Sequence, residues 1–215
     1  MDILNNLHPM YIGIIVSSII GYLLGSIPFA LVIGKVFYGT DVREHGSGNL
    51  GGSNAGRVLG KKAAISVIAL DVLKVVAASG ISALLFDPMV SIWAGLFAAV
   101  GHCYPIFAGF RGGKAVATMF GFLLSCAIFT FQDPWMLLIP LAVFVVILVI
   151  FQMVSLASIF ASITQAIYIY FITSAESIHV ASILLAVLVI FRHRSNIKRI
   201  IDGNENKVSW LRKNK

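Results

Sequence analysis

The run from Tyr11 to Phe37, YIGIIVSSIIGYLLGSIPFALVIGKVF, carries a single charge, Lys35, over a length sufficient to cross a bilayer. It is too long for the apolar core of a signal peptide, and no basic segment precedes it. It therefore predicts a first membrane span, 10–37, and not a cleaved leader. Further apolar runs follow at 63–86, 89–108, 115–131, 135–152, 156–174 and 176–192, separated by turn signals such as Asp87-Pro88 and Asp133-Pro134. The expectation is an all-α, polytopic integral membrane protein with about seven transmembrane helices.

Composition agrees. Of the 215 residues, 59% are hydrophobic and 12% charged, with a mean hydropathy of +0.94. Soluble domains run nearer 45–50% apolar, so lipid is the expected solvent. The net charge of +7 suits anionic headgroups or anionic substrates. Nucleic acid is not expected as a partner, because the basic residues flank apolar runs and do not interleave with stacking aromatics. Cys103 and Cys126 sit in or beside such runs and read as buried free thiols. No histidine, cysteine or carboxylate spacing suggests a metal site, and no cofactor is implied.

The positions of the basic residues predict orientation. Lys35, Arg43, Arg57, Lys61 and Lys62 end the first run or follow it, Arg111 and Lys114 lie between the third and fourth, and the tail from Arg192 holds most of the rest. The alternate connections, near Asp87, Asp133 and Glu176, contain no Lys or Arg. By the positive-inside rule the N-terminus lies outside and the C-terminus in the cytoplasm, which an odd number of spans requires. The chain then reads as one membrane-embedded domain, 1–215. Its cytoplasmic motif loops are 38–62, 108–115 and 152–156, and its basic cytoplasmic tail is 193–215.

The polar motifs fall on that same side. The first is GSGNLGGSNAGR, Gly46 to Arg57. Its glycines permit close backbone approach and anion-binding N–H nests, and Ser47, Asn49, Ser53, Asn54 and Arg57 add donors suited to phosphate. A flexible membrane-surface loop has the same composition. It is not a nucleotide-binding P-loop, since Gly56-Arg57-Val58-Leu59-Gly60-Lys61-Lys62 lacks both the glycine spacing and the final hydroxyl. The second motif, Arg111-Gly112-Gly113-Lys114, places N–H groups and a cation together before a helix, as an oxyanion or phosphate would need. A snorkelling anchor is its alternative. Ser155 and Ser158 share a helix face, as do His193 and Asn196 beside Arg194. Asp71 and Lys74, inside the second run, read as a structural ion pair, and His102 as a satisfied structural histidine.

These stretches resemble the bacterial acyl-phosphate:glycerol-3-phosphate acyltransferases, the PlsY family. The resemblance runs from Gly21-Tyr22-Leu23-Leu24-Gly25-Ser26-Ile27-Pro28 to Gly203-Asn204-Glu205, through Gly46–Arg57, Gly101–Thr118, Ser155–Ser158 and His193–Ile197. Three positions depart from the family pattern. Gly52-Ser53 stands for Ala-Thr, Arg111 for Lys, and Ala115 for Gly.

The resemblance implies transfer of a fatty acyl group from acyl phosphate to the 1-hydroxyl of glycerol 3-phosphate, at a bacterial inner-membrane site facing the cytoplasm. Membrane lipid would surround it, and the enzyme that makes acyl phosphate would be a functional neighbour. The catalytic parts would fall to His193, Ser47 and Lys114. Asn49, Asn54, Arg57, Gly112, Gly113, Ser155, Ser158, Arg194 and Asn196 would bind substrate.

Two rivals stand beside this reading. A thioester-dependent acyltransferase of the common type needs His-x4-Asp, and none of the five histidines has Asp at that spacing. A small anion transporter would explain a basic pocket, but no internal repeat is visible and the motifs lie away from the midplane.

Overall fold

Pro28 divides the first apolar run. It lacks an N–H and drives Ile27 out of helical geometry. The span expected over 10–37 is therefore broken into two helices, α1 (Asp2–Gly25) and α2 (Phe29–Tyr38), which together still make one membrane-length stretch, Pro9–Tyr38. The computed structural model describes residues 2–208; within the tail 193–215, residues 209–215 lie outside the described residues.

The remaining helices follow in order: α3 (Gly52–Leu59), α4 (Lys61–Leu85), α5 (Ser91–Cys103), α6 (Val116–Ser125), α7 (Trp135–Phe151), α8 (Val154–Ile172), α9 (Glu176–Arg192) and α10 (Arg194–Ile201). A 3-10 turn covers Ile106–Ala108, and a π turn, Cys126–Thr130, extends α6. No strand occurs among the described residues. Two compact units result, one up to Gln132 and one from Asp133 onward.

Four helical stretches are long and apolar enough to cross a membrane: Pro9–Tyr38, Lys61–Leu85, Ser91–Ala108 and Val154–Ile172. Helices α9 and α10 qualify together as a pair bent by 57°, whereas Val116–Thr130 and Trp135–Phe151 are shorter apolar helices. Each apolar run of the sequence is thus helical.

The surface confirms the solvent. Leu84 is 88% exposed and Phe171 79%, while Ser17, Ser79, Ser82, Ser158, Ser162 and Ser182 are buried. Large apolar side chains outward and small polar ones inward is the pattern that lipid selects.

In the first unit, α1 and α5 meet backbone to backbone. A Cβ on Gly21 would overlap the Ala94 carbonyl, one on Gly25 the Ala98 carbonyl, and one on Gly101 the Tyr22 carbonyl. This is small-residue packing, in which glycines four apart let two helices approach. The Ser17 and Ser82 hydroxyls, 2.6 Å apart, tie α1 to α4.

Two loop assignments change. The loop expected at 38–62 contains α3, although two glycines lower its helix propensity, because Asn54 and Ala55 are buried by tertiary packing. The loop expected at 152–156 shortens to Gln152 and Met153, which puts Ser155 in the first turn of α8.

Candidate functional site

In the first unit the loop after α2 is pinned by its two apolar residues. Val42 and Leu50, 0% and 2% exposed, enter a cluster with Ala30, Ile33, Ala55, Val67 and Ala108. Asp41 closes the loop's start. It accepts hydrogen bonds from Arg43 Nε at 3.0 Å, Arg43 Nη2 at 2.6 Å and the Arg43 backbone N–H at 3.0 Å. Lys35 Nζ lies 3.4 Å away. The Arg43 guanidinium, above all, holds the Asp41 carboxyl well below the usual range.

Asn54 organises the segment between those anchors. Its Oδ1 accepts from the Ser47 backbone N–H at 2.7 Å and from Ser47 Oγ at 3.1 Å. Its Nδ2 donates to the Val42 carbonyl at 2.8 Å and the His45 carbonyl at 3.2 Å. An amide offers two donors and two acceptor sites, so all of its capacity is used. Asn54, expected among the substrate-binding groups, is instead a buried latch that sets Ser47 in place. Gly46 is required beside it: its φ is +62°, and a Cβ there would overlap Asn54 Oδ1.

Ser47 and Arg57 are the groups this arrangement presents. Both are exposed, and the Arg57 side chain makes no hydrogen bond or ion pair among the described residues. Asn49 Nδ2 lies 3.3 Å from Ser47 Oγ. Ala108 shares its apolar cluster with Leu50 and Ala55. The chain leading to Gly112, Gly113 and Lys114 thus starts from the same packed base.

The second motif is shaped by contact with His102. The Gly113 N–H donates to the His102 carbonyl at 3.0 Å. A Cβ on Gly112 would overlap that carbonyl, and one on Gly113 would overlap His102 Nε2. Lys114 is half-buried just before α6. Ala115, where the family pattern has Gly, adopts φ +59° and is fully buried. Left-handed geometry at this position explains why glycine suits it.

In the second unit, sequence had not singled out the residue that gathers the polar groups. Glu205 accepts at Oε1 from Ser155 Oγ (2.7 Å) and Asn196 Nδ2 (2.6 Å), and at Oε2 from Arg199 Nε (2.8 Å). Burial opposes its charge, but hydrogen bonds from Asn196, Ser155 and Arg199 prevail and hold its carboxyl below the ordinary value.

Backbone geometry returns Glu205 to that place. Gly203 turns left-handed at φ +72° after α10, the Gly203 N–H donates to Ile200 O, and the Asn204 N–H donates to Arg199 O. This is a Schellman stop. The sequence signal is an acidic residue two positions after Gly203, in a tail that is basic apart from it and Asp202.

His193 and Asn196 do not share one continuous helix. His193 lies at the bend and caps α10, and its carbonyl accepts from the Asn196 N–H at 2.8 Å. His193 is 3% exposed, with Nδ1 2.8 Å from the Val189 carbonyl. A carbonyl only accepts, so Nδ1 carries the hydrogen, and the neutral ring's acceptor is Nε2. Arg194 is exposed and stacks on Phe191, its guanidinium 4.7 Å from the ring centre. Ser158 is fully buried and donates to the Val154 carbonyl of its own helix at 2.7 Å. The structure therefore joins Ser155 and Asn196 but turns Ser158 inward. Cys103 and Cys126 are buried and not disulfide-bonded.

Comparison with known proteins adds kinship to this geometry. Residues 15–203 match the family described as "Glycerol-3-phosphate acyltransferase". A glycerol-3-phosphate acyltransferase of Geobacillus kaustophilus is 48% identical over 192 residues, covering 89% of this chain and 94% of the relative. One of Bacillus subtilis is 47% identical over 193 residues, covering 90% and 96%. The crystal structure of PlsY, described as an integral membrane glycerol 3-phosphate acyltransferase, superposes in its glycerol 3-phosphate form with a TM-score of 0.83 at 37% identity, covering 92% of this chain and 96% of that one. Its lysophosphatidic acid form gives 0.81 at 36% identity.

Proposed function

The chain belongs to the PlsY family of glycerol-3-phosphate acyltransferases, and from that premise we propose that it transfers a fatty acyl group from acyl phosphate to the 1-hydroxyl of glycerol 3-phosphate. The products are 1-acylglycerol 3-phosphate and inorganic phosphate. The observation that carries this reading is the first motif loop, where a buried Asn54 holds Ser47 while the exposed Arg57 side chain has no partner among the described residues. A hydroxyl held by Asn54 and a planar guanidinium on the same helix as Asn54 are groups suited to phosphate oxygens.

The chemistry asks for little covalent help. The acyl phosphate carbonyl is already activated and phosphate leaves readily, so binding, orientation and oxyanion stabilisation carry the rate. The glycerol hydroxyl oxygen bonds to the carbonyl carbon and the acyl carbon–oxygen bond to phosphate breaks. The hydroxyl proton passes to the departing phosphate.

Arg57, Asn49, Gly112, Gly113 and Arg194 bind and neutralise phosphate in this scheme, while Ser47 and Lys114 stabilise the reacting centre. His193 Nε2, the acceptor set by the Nδ1 contact with Val189, orients the attacking hydroxyl. Asn196 and Ser155, tied by Glu205, support it, and Asn54 and Ser158 act behind the substrate-facing groups. The missing His-x4-Asp motif favours acyl phosphate over a thioester donor.

The proposed setting is the bacterial inner membrane, crossed seven times, with the N-terminus outside and the motif loops and C-terminus in the cytoplasm. The basic residues clustered in alternate connections support it. One acyltransferase domain would comprise the whole chain. It would work next in sequence to the enzyme that makes acyl phosphate.

The test supplies purified protein in detergent with palmitoyl phosphate and glycerol 3-phosphate and follows phosphate release. Acceptor-dependent release is expected, with none from palmitoyl-CoA. Arg57→Ala should lower kcat/KM by about 100-fold or more while leaving the unfolding temperature unchanged. A folded protein with no acceptor-dependent release sinks the activity, and activity with palmitoyl-CoA alone reassigns the donor.

A further inference from the structure

Three ionisable side chains lie buried together in the first unit, outside the groups assigned to the reaction. Asp71 and Lys74 stand one turn apart on α4, and His102 closes α5; they are 2%, 5% and 6% exposed. Lys74 Nζ lies 2.7 Å from Asp71 Oδ1, 2.9 Å from the Ile27 carbonyl and 3.2 Å from His102 Nδ1. The Asp71 contact is electrostatic and lacks hydrogen-bond alignment. His102 Nδ1 is itself 3.4 Å from Asp71 Oδ1.

Each contact has a structural address. Ile27 is the residue that Pro28 forces out of the helix; at the α1/α2 break its carbonyl accepts the Phe29 N–H at 3.2 Å and also the Lys74 ammonium, a cation at a helix end. Phe29, at the start of α2, places its ring centre 5.7 Å from the same ammonium. A charged ammonium only donates, so His102 Nδ1 accepts and the ring's hydrogen sits on Nε2. That Nε2 edge is the surface against which Gly113 packs, where a Cβ would overlap it, while the His102 carbonyl holds the Gly113 N–H.

We propose that Asp71, Lys74 and His102 form a buried positioning triad that fixes the Gly112–Lys114 loop for phosphate binding. It rests on the reading of that loop as phosphate-binding. The ion pair sets the His102 ring, the ring and its carbonyl set Gly113, and Gly113 sets the backbone that leads into Lys114. Ionisable groups at such depth are costly, and pairing offsets only part of that cost. Here they replace the flexibility of two adjacent glycines with a single loop shape. None of the three touches substrate in this scheme.

The experiment uses full-length protein in detergent and compares His102→Asn, the neutralised pair Asp71→Asn/Lys74→Met, Lys114→Ala, and the combination His102→Asn/Lys114→Ala. Unfolding temperature is measured with kcat and KM for glycerol 3-phosphate and for palmitoyl phosphate. His102→Asn and the neutralised pair should unfold near the wild-type temperature, yet raise the KM of one phosphorylated substrate by about 10- to 100-fold. The combination should be no worse than Lys114→Ala alone, because both act through one loop. The neutralised pair decides the matter if His102→Asn does not fold, since it leaves no unpaired charge behind.

Wild-type KM values in the folded triad variants, alongside an impaired Lys114→Ala, would overturn the triad and leave the loop reading standing. Losses that multiply with Lys114→Ala would overturn it equally. A Lys114→Ala enzyme at wild-type rates would remove the phosphate-binding loop itself, and the triad's part with it.

Discussion

Replacing Asn54 with Asp changes almost no volume but reverses half of the latch. The Oδ1 contacts to Ser47, at 2.7 and 3.1 Å, survive. The donated bonds to the Val42 and His45 carbonyls, at 2.8 and 3.2 Å, become oxygen facing oxygen. Two lost bonds at about 0.5–1.5 kcal/mol each, with roughly 1–3 kcal/mol for the buried Val42 acceptor left unmet, put about 2–6 kcal/mol against the closed loop. Opposing release are Val42 and Leu50, each worth about 1.5–3 kcal/mol by burial. The two sides are comparable. The ends of the loop therefore stay docked while the segment around Ser47 lets go.

Asn54→Asp should then unfold near the wild-type temperature in detergent. Its kcat/KM should fall about 100-fold or more, because roughly 1.4 kcal/mol corresponds to each factor of ten. Trypsin should cut faster at Arg43. An Asn54→Asp enzyme with wild-type kcat/KM and unaltered cleavage would refute the latch.

Three further outcomes follow from other contacts. Glu205→Gln keeps an acceptor for Ser155 and Asn196 but turns an amide toward Arg199, which should destabilise the segment after α10 by about 1–3 kcal/mol and speed tryptic cleavage at Lys207. Because the folded protein holds the Glu205 carboxyl below its ordinary value, its contribution is complete above the ordinary carboxylate range and fades as pH falls through the lowered value. The difference in unfolding temperature between wild type and Glu205→Gln should accordingly shrink below roughly pH 4. Gly25→Val should push α1 from the Ala98 backbone and lower stability by about 1–3 kcal/mol or more, read as a lower unfolding temperature in detergent.

The apolar runs made the helices legible because a bilayer leaves a chain few other ways to satisfy its backbone. Finer features depended on contacts that composition does not carry. The break at Pro28 lies inside a run whose hydropathy never falters. Helix α3 contains residues that favour turns, and only the burial of Asn54 and Ala55 against the loop makes it helical. Asn54 read as a ligand because a buried amide and a substrate-facing amide look alike in sequence. Ser155 and Ser158 looked equivalent by spacing, yet one reaches Glu205 and the other bonds to its own helix. Glu205 closes the stretch of family resemblance, but its role is not legible there because its partners lie on two helices, Ser155 on α8 and Asn196 and Arg199 on α10.

The backbone contact between α1 and α5 has a consequence for biogenesis. Gly21 and Gly25 have no side chain with which to fill the seam until Ala94 and Ala98 arrive. During synthesis α1 emerges well before α5, so it must first rest in lipid with its glycine notch open. The apolar run from Tyr11 onward makes that wait tolerable, since insertion and packing are separable steps for membrane helices. A glycine substitution at this seam would leave the newly inserted helix intact and expose its defect only when the fifth helix tries to dock.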